Sequence, residues 1–238
     1  MIFYFIRHGD PVYEPDSLTP LGIRQAEALA KRLSRFELDE IFVSSSNRAV
    51  QTAAPTCNML HKEMKILDWC NEKYAWNDFA YTDEKGNASW AFQKPEIREL
   101  FVSNEISQLG KAWYKHPRFT KKNFEHGVKR VEMECDALLA SLGYEHNREN
   151  NTYFCVDENH KRVALFAHQG FGMIFLSSLL DIPYPTFCTH FDLGHSSMTV
   201  IEFAPKKGTV IPITIQLGND SHIYSDGLPT KHQNEFYV

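Results

Sequence analysis

Residues 1–9 read Met-Ile-Phe-Tyr-Phe-Ile-Arg-His-Gly, an apolar run that ends in Arg7-His8-Gly9. The run is made of β-branched and aromatic residues, a composition that favours a buried strand over a helix. In open α/β sheets, ligands bind outside the carboxyl ends of the strands. We therefore expect Arg7 and His8 to lie at a ligand-binding edge of the sheet.

Two later stretches repeat this design of a buried strand followed by polar residues and a helix. Residues 40–44 lead into Ser45-Ser46-Asn47-Arg48, and residues 163–167 lead into His168-Gln169-Gly170. A helix that starts at such a point directs unpaired backbone N–H groups and a partial positive charge toward the same edge, which favours an anion. The alternation of strands and helices predicts an α/β fold.

Other elements follow from periodicity and capping. Thr19 and Pro20 predict the start of a helix whose buried face holds residues 23, 26, 30 and 33. Pro55 is expected to kink or shorten the helix that follows Arg48. Further predictions are strands at 64–67, 198–204 and 210–217, a helix over 128–142, a hairpin or loop over 145–162 and a helix over 171–180.

The regular alternation is lost between Asp68 and Phe124, which we interpret as a cap insertion in a single domain of residues 1–238. All four tryptophans of the chain lie in this insertion, and a helix is predicted from Pro95 to His116. We expect its aromatic residues to form a small core of their own, with a substrate-facing wall as the alternative.

The composition excludes several classes of protein. Hydrophobic residues at 43% and charged residues at 23% are typical of a soluble globular chain, and no apolar run approaches the ~20 residues of a membrane span. A net charge of −5 does not indicate the basic surface that binds nucleic acid. The start of the chain lacks the basic region that precedes the apolar run of a secretory signal, so we expect a cytoplasmic protein.

The five cysteines form no CxxC pair, which predicts that they are reduced and serve as packing residues.

The three strand ends together predict phosphate chemistry. If the strands share one sheet, two arginines, Arg7 and Arg48, converge with two histidines, His8 and His168. Guanidinium groups can hold a phosphoryl group by charge-assisted bidentate bonds, and a neutral imidazole can attack phosphorus to give a phosphohistidine. The arginines and a second imidazolium can stabilise the equatorial oxygens, so we expect neither a metal nor a cofactor.

Four ordered blocks of sequence resemble the histidine phosphatase superfamily, whose members include the cofactor-dependent phosphoglycerate mutases. The blocks are Arg7-His8-Gly9, Leu18-Thr19-Pro20-Leu21-Gly22 with Gln25 and Ala26, Ser44-Ser45 with Arg48-Ala49 and Gln51-Thr52-Ala53, and Ala167-His168 with Gly170. The resemblance covers about residues 1–64 and 163–217. It implies a three-layer α/β sandwich, with a mostly parallel central sheet and helices on both faces.

The resemblance also implies roles for single residues. His8 is expected to be the phosphorylated nucleophile, with Arg7, Arg48 and His168 in the phosphate pocket. In the family a carboxylate protonates the leaving oxygen, and Glu72 is the candidate after the third strand, with Asp68 and Asp10 left open. Five further residues are expected near the pocket, namely Gly9, Asp10, Glu14, Gln169 and, in a resembling segment over residues 193–197, His195.

Departures from the mutase branch favour hydrolysis. Pro11 and Glu14 replace the serine and asparagine that mutases carry after the motif histidine, and Gln169-Gly170 replaces Gly-Asn. A Glu14 carboxylate facing the pocket would repel a second phosphate. We therefore expect a metal-independent phosphatase acting on a small phosphorylated metabolite, with a phosphomutase or a catalytically weak phospholigand-binding protein as alternatives. The sequence leaves a homo-oligomer open.

Overall fold

The computed structural model describes residues 1–83 and 85–230. Residue 84 of the insertion and residues 231–238 of the predicted domain lie outside the described residues. In chain order the elements are β1 (Ile2–Arg7), β2 (Pro11–Val12), β3 (Ser17–Leu18), α1 (Pro20–Leu33), β4 (Glu40–Ser44), α2 (Asn47–Leu60), β5 (Met64–Leu67), α3 (Glu72–Phe79), β6 (Ala80–Thr82), β7 (Ala88–Trp90), α4 (Pro95–Phe101), α5 (Asn104–Leu109), α6 (Phe124–Ser141), β8 (Tyr144–Asn147), β9 (Thr152–Cys155), β10 (Arg162–Ala167), α7 (Gln169–Leu179), α8 (Tyr184–His190), β11 (Met198–Glu202), β12 (Gly208–Val210), β13 (Ile213–Asn219) and α9 (Ser221–Ser225).

Six strands form the central sheet in the order β13-β11-β1-β10-β4-β5. The neighbours β1, β10, β4 and β5 are parallel, whereas β11 runs antiparallel to both β1 and β13. The predicted α/β fold with a mostly parallel sheet is confirmed. Because β1, β10 and β4 are adjacent and parallel, their carboxyl ends meet at one edge of the sheet.

Alternate side chains of β1 serve two different cores, as the period of two in a strand requires. Phe3 and Phe5 pack in a large cluster together with side chains of α6 and α7. Tyr4 and Ile6 pack in a second cluster with residues of α1 and α2. A strand buried on both faces reads as a continuous apolar run, which explains the sequence of residues 2–6.

Some expectations for single elements are wrong. Ile23 is 49% exposed, and the buried face of α1 instead includes Gln25 and Leu29. The helix α2 continues through Pro55 to Leu60, so the proline does not shorten it. The helix expected over 95–116 is interrupted, because Ser103 caps a new helix by accepting a hydrogen bond from the Ile106 N–H group, and Gly110 has a positive φ of 52°.

The strand expected over 210–217 is divided at Pro212, which lacks the N–H group that a ladder requires. Residues up to Val210 form β12, which pairs with β9 in a separate sheet, and Ile213 begins β13 of the central sheet. The expected hairpin over 145–162 is present as β8 and β9. All five cysteines are buried and free. In the described residues, no helix is long and apolar enough to cross a membrane.

The aromatic residues of the segment 68–124 do not form a separate core. Phe79, Phe101 and Trp113 are buried, and their rings lie within 5.1–6.0 Å of the Tyr184 ring, between centroids. Tyr184 belongs to α8, far outside the segment, so these rings continue the main core. The segment also supplies two less buried tryptophans, Trp76 and Trp90, to a cavity described below.

Two glycines allow α1 to pack directly against the loop that follows β1. A Cβ atom on Gly22 would lie 2.2 Å from the backbone oxygen of Asp10, and one on Gly9 would lie 2.7 Å from the backbone oxygen of Gly22. Neither contact can relax by rotating a side chain, because both partners are backbone atoms. The motif glycine after His8 is thus explained by close packing.

Replacing Gly22 by alanine is therefore expected to destabilise the protein by about 1–3 kcal/mol, the usual cost of overpacking a rigid site. For a chain of this size, each kcal/mol lowers the melting temperature by about 2–4 °C. Thermal unfolding followed by circular dichroism would measure the change. The control is Glu27→Ala on the exposed side of the same helix, which should change stability by less than about 0.5 kcal/mol. Equal melting temperatures for the two variants would contradict this packing argument.

Candidate active site

His8 and His168 lie side by side at the sheet edge where β1 and β10 end. Both side chains are buried, and their ring centroids are 5.2 Å apart in an edge arrangement. The parallel register of β1 with β10, which pairs Arg7 with Ala167, brings the two histidines together. The predicted convergence of the strand ends is thus present in the fold.

The orientation of His8 is fixed by its own loop. Its Nδ1 atom lies 2.7 Å from the carbonyl oxygen of Gly9, which can only accept a hydrogen bond. The proton therefore resides on Nδ1, and Nε2 carries the lone pair. Burial, and then the positive charges of His168, Arg7 and Arg48, place the pKa of His8 well below its usual value of 6.5. The ring is therefore neutral near neutral pH, as a nucleophile must be.

Arg48 connects the start of α2 to His168. Its Nη2 atom donates to Nδ1 of His168 at 3.1 Å, because an arginine has no acceptor. The proton of His168 is therefore on Nε2, which donates to Oγ of Ser44 at 2.8 Å. Burial, with Arg48 and Arg7, places the pKa of His168 well below its usual value. The imidazolium expected at this position is thus a neutral ring in the unliganded protein.

Arg7 is buried and held by the segment that precedes β11. Its Nη1 atom donates to the backbone oxygen of Leu193 at 2.5 Å, and its Nη2 atom lies 2.7 Å from Nε2 of His195. The other ring nitrogen of His195 lies 3.5 Å from a carboxylate oxygen of Asp10. The structure thus places His195 and Asp10 behind Arg7, where they orient its guanidinium group.

Glu72, in the first turn of α3, lies across the cavity from the strand ends. Its two carboxylate oxygens accept hydrogen bonds from the backbone N–H groups of Gly170 and Phe171, at 2.9 and 3.0 Å. Burial raises the pKa of Glu72 above its usual 4.5, and the two N–H groups and the arginines oppose this shift without cancelling it. The carboxyl group is held in place and is biased toward its protonated form.

The alternative acids are engaged elsewhere. Asp68 has a side chain that is 58% exposed and accepts hydrogen bonds from Ser45 and Tyr74 at 2.5 and 2.6 Å. Asp10 accepts a hydrogen bond from the Thr19 hydroxyl at 2.7 Å, in addition to facing His195. Of these three carboxylates, Glu72 is the one that lines the cavity.

Residues 3–93 match the family model of the histidine phosphatase superfamily, branch 1. The match covers 91 of the 238 residues, so it relates this part of the chain to the superfamily. The matched part contains Arg7, His8, Arg48 and Glu72, whereas His168 is brought near them by the fold. Residues from inside and outside the matched part thus meet at one site.

Solved structures of proteins named as phosphatases share the fold. A phosphoserine phosphatase of Entamoeba histolytica aligns with a TM-score of 0.58 at 18% identity, over 93% of this chain and 98% of that one. A mycobacterial glucosyl-3-phosphoglycerate phosphatase aligns with a TM-score of 0.59 at 18% identity, over 91% and 98%.

A curated protein of Hydrogenobacter thermophilus, which bears the provisional name phosphoserine phosphatase 2, is similar in sequence. It is 25% identical over 150 residues, which is 58% of this chain. The match spans 66% of that relative's length. At this level of similarity the substrate has to be argued from the site itself.

A cavity of about 660 Å³ opens onto this site. Of the predicted site residues, five line the cavity, namely Arg7, His8, Arg48, Glu72 and Gln169. The amide of Gln169 is hydrogen-bonded to the carboxylate of Asp192, which fixes its position at the wall. Arg7, Arg48, His8 and Glu72 therefore face one open cavity, whereas His168 is fully buried and does not line it.

The Glu14 side chain does not face the pocket, contrary to the expectation from the comparison with mutases. Its side chain is exposed and does not line the cavity, whereas the neighbouring Tyr13 does. The carboxylate that pairs with Arg48 belongs to Asp16, at 2.7 Å. The expectation that Glu14 repels a second phosphate is therefore wrong, because the loop directs its side chain to the surface.

Several cavity-lining residues were not identified from the sequence. They are Tyr13, Asn71, Lys73, Trp76, Asn77, Ala88, Ser89, Trp90 and Gln93. Only the clustering of tryptophans in the insertion gave a signal, as a possible substrate-facing wall. The others lie in the loop between β2 and β3, in or just before α3, and in or just after β7. The approach of these segments to the sheet edge has no local sequence signature.

Proposed function

We propose that this protein is a metal-independent phosphatase that hydrolyses phosphomonoesters through a phosphohistidine on His8. The observation that carries the proposal is the neutral His8 ring, with its Nε2 lone pair, beside two buried guanidinium groups and opposite a carboxyl group with a raised pKa. Similarity to proteins named as phosphatases supports it.

In the first step, Nε2 of His8 attacks phosphorus and the bond to the leaving oxygen breaks. Glu72 gives its proton to that oxygen, which leaves as an alcohol. Arg7 and Arg48 hold the negative charge of the transferred group, which supplies the stabilisation that a metal ion would otherwise give. His168 completes the phosphate pocket beside Arg48.

In the second step, the Glu72 carboxylate takes a proton from water as the water oxygen bonds to phosphorus. The phosphorus–nitrogen bond breaks, which releases inorganic phosphate and restores neutral His8. Glu72 is then protonated again, so each turnover returns the site to its starting state.

The test is phosphate release from 4-nitrophenyl phosphate with and without a chelator. We expect turnover to stay within about twofold when divalent metals are removed, because arginines carry the charge stabilisation. Phosphate binding without turnover would favour the phospholigand-binding alternative. Because Glu14 does not face the cavity, its charge gives no argument against a phosphomutase. The products distinguish the two activities: a mutase would transfer the phosphoryl group to an added alcohol in preference to releasing inorganic phosphate.

The pH dependence of kcat/KM is expected to be bell-shaped with an acidic optimum. His8 must be neutral, so the rate rises with pH through a pKa well below 6.5. Glu72 must be protonated, so the rate falls as the pH rises through a pKa above 4.5. Glu72→Gln should remove the part of the falling limb that belongs to Glu72, so that only the ionisation of the substrate still shapes the profile on that side. If the falling limb has the same pKa in this variant as in the parent protein, it belongs to another group.

A further inference from the structure

We infer that the preferred substrate is a phosphomonoester whose alcohol carries a planar aromatic ring, which binds against Trp76 and Trp90. This inference deepens the proposed function and rests on it. The cavity volume of about 660 Å³ lies in the middle of the range, roughly 300–1,000 Å³, that is typical of pockets for drug-sized ligands. A three-carbon phosphoester would leave most of it empty.

The two tryptophans both line the cavity and form a corner in its wall. Their ring centroids are 5.0 Å apart and their planes are nearly perpendicular, at 88°. Trp76 is 38% exposed and lies on the same open side of α3 as the cavity-lining residues Lys73 and Asn77. An exposed indole in a cavity wall is costly in water and offers a face on which a ring can stack.

Trp90 is fixed in place before any ligand binds. Its ring stacks on the buried Phe92, with centroids 5.7 Å apart, and its edge reaches so close to Gly170 that a Cβ there would lie 2.3 Å away. The turn between β6 and β7 is held by Lys94, whose Nζ donates to Asp83 and to the backbone oxygen of Asn87 at 2.8 and 3.0 Å. A preorganised ring loses little entropy on binding, which favours stacking.

The polar groups near this corner suit a neutral ring edge better than a carboxylate. Asn77 and Gln93 supply amide groups to the wall, whereas the amide of Asn71 is bonded to Ser45 and to the backbone N–H group of Lys73. Apart from Arg7 and Arg48, the cation among the described lining residues is Lys73, whose Nζ lies 3.9 Å from a carboxylate oxygen of Asp68 and 4.6 Å from the centre of the Tyr74 ring. A substrate carboxylate would have to compete with Asp68 for it.

The test compares two esters of the same primary alcohol type, adenosine 5′-monophosphate and ribose 5-phosphate, which differ by a planar ring. A second pair, benzyl phosphate and ethyl phosphate, repeats the comparison without a sugar. We expect the ring-bearing ester of each pair to have at least a tenfold higher kcat/KM, in line with the usual strength of ring stacking on an aromatic side chain. O-phosphoserine should be a poorer substrate than adenosine 5′-monophosphate.

The variant Trp76→Ala should lower this preference to about one, mainly by raising KM for the ring-bearing esters. The matched control is Tyr224→Ala, which removes an 86% exposed ring outside the cavity and should keep the preference. Hydrolysis without preference in both pairs overturns this inference alone. If no ester is hydrolysed, the proposed phosphatase function fails and the inference fails with it.

Discussion

Replacing His8 by alanine is expected to lower kcat for every phosphomonoester by about 10⁴-fold or more. The neutral His8 ring is the only nucleophile in the proposed route, and removal of a nucleophile leaves only the binding and charge stabilisation of the site. Phosphate release from 4-nitrophenyl phosphate would measure the loss. Binding of inorganic phosphate should persist, because Arg7 and Arg48 remain.

The control for this variant is His160→Ala, which removes a side chain that is 71% exposed and remote from the sheet edge. It should keep full activity. His8→Ala should also keep the circular dichroism spectrum of the parent protein. Near-normal turnover by a folded His8→Ala protein would rule out the phosphohistidine route and would require another nucleophile.

Replacing Glu72 by glutamine is expected to slow the hydrolysis of alkyl phosphates by about 10²- to 10⁴-fold, the usual contribution of a general acid or base. The first step should suffer less with 4-nitrophenyl phosphate, because its leaving group needs no proton. The second step then becomes limiting, since no carboxylate activates water. Intact mass spectrometry should therefore detect a chain that carries one phosphoryl group.

Asp68→Asn is the matched control, because Asp68 is the alternative acid nearest in sequence and its side chain is exposed. It should retain parent activity and should not accumulate the phosphorylated chain. If Asp68→Asn traps the phosphoenzyme and Glu72→Gln does not, the two carboxylates exchange roles and the assignment of Glu72 is wrong.

The sequence was most informative where structure and chemistry depend on the same local pattern. Arg7, His8, Arg48 and His168 could be brought together because each follows an apolar run that is buried on both faces, and such runs belong to parallel strands. Thr19 and Pro20 fixed the start of α1 because capping is a local interaction. The one long-range assumption was that these strands share a sheet, and the structure confirms it.

Features that depend on contacts between distant segments could not be predicted in this way. Whether Tyr13 or Glu14 faces the cavity is decided by the path of a loop, not by composition. The tautomer of His168 depends on Arg48 and Ser44, which the sequence separates from it by more than a hundred residues. By contrast, Pro212 was a local signal for dividing the last strand, and its missing N–H group explains the error.

The contact between Trp90 and Gly170 ties the choice of substrate to the placement of the acid. Gly170 leaves room beside its Cα for the Trp90 ring, and its backbone N–H group donates to Glu72. A protein engineer therefore cannot exchange the β6–β7 hairpin as an independent module. Positions 90 and 170 have to be redesigned together, because a side chain at position 170 would clash with the Trp90 ring and displace the proton donor along with the wall.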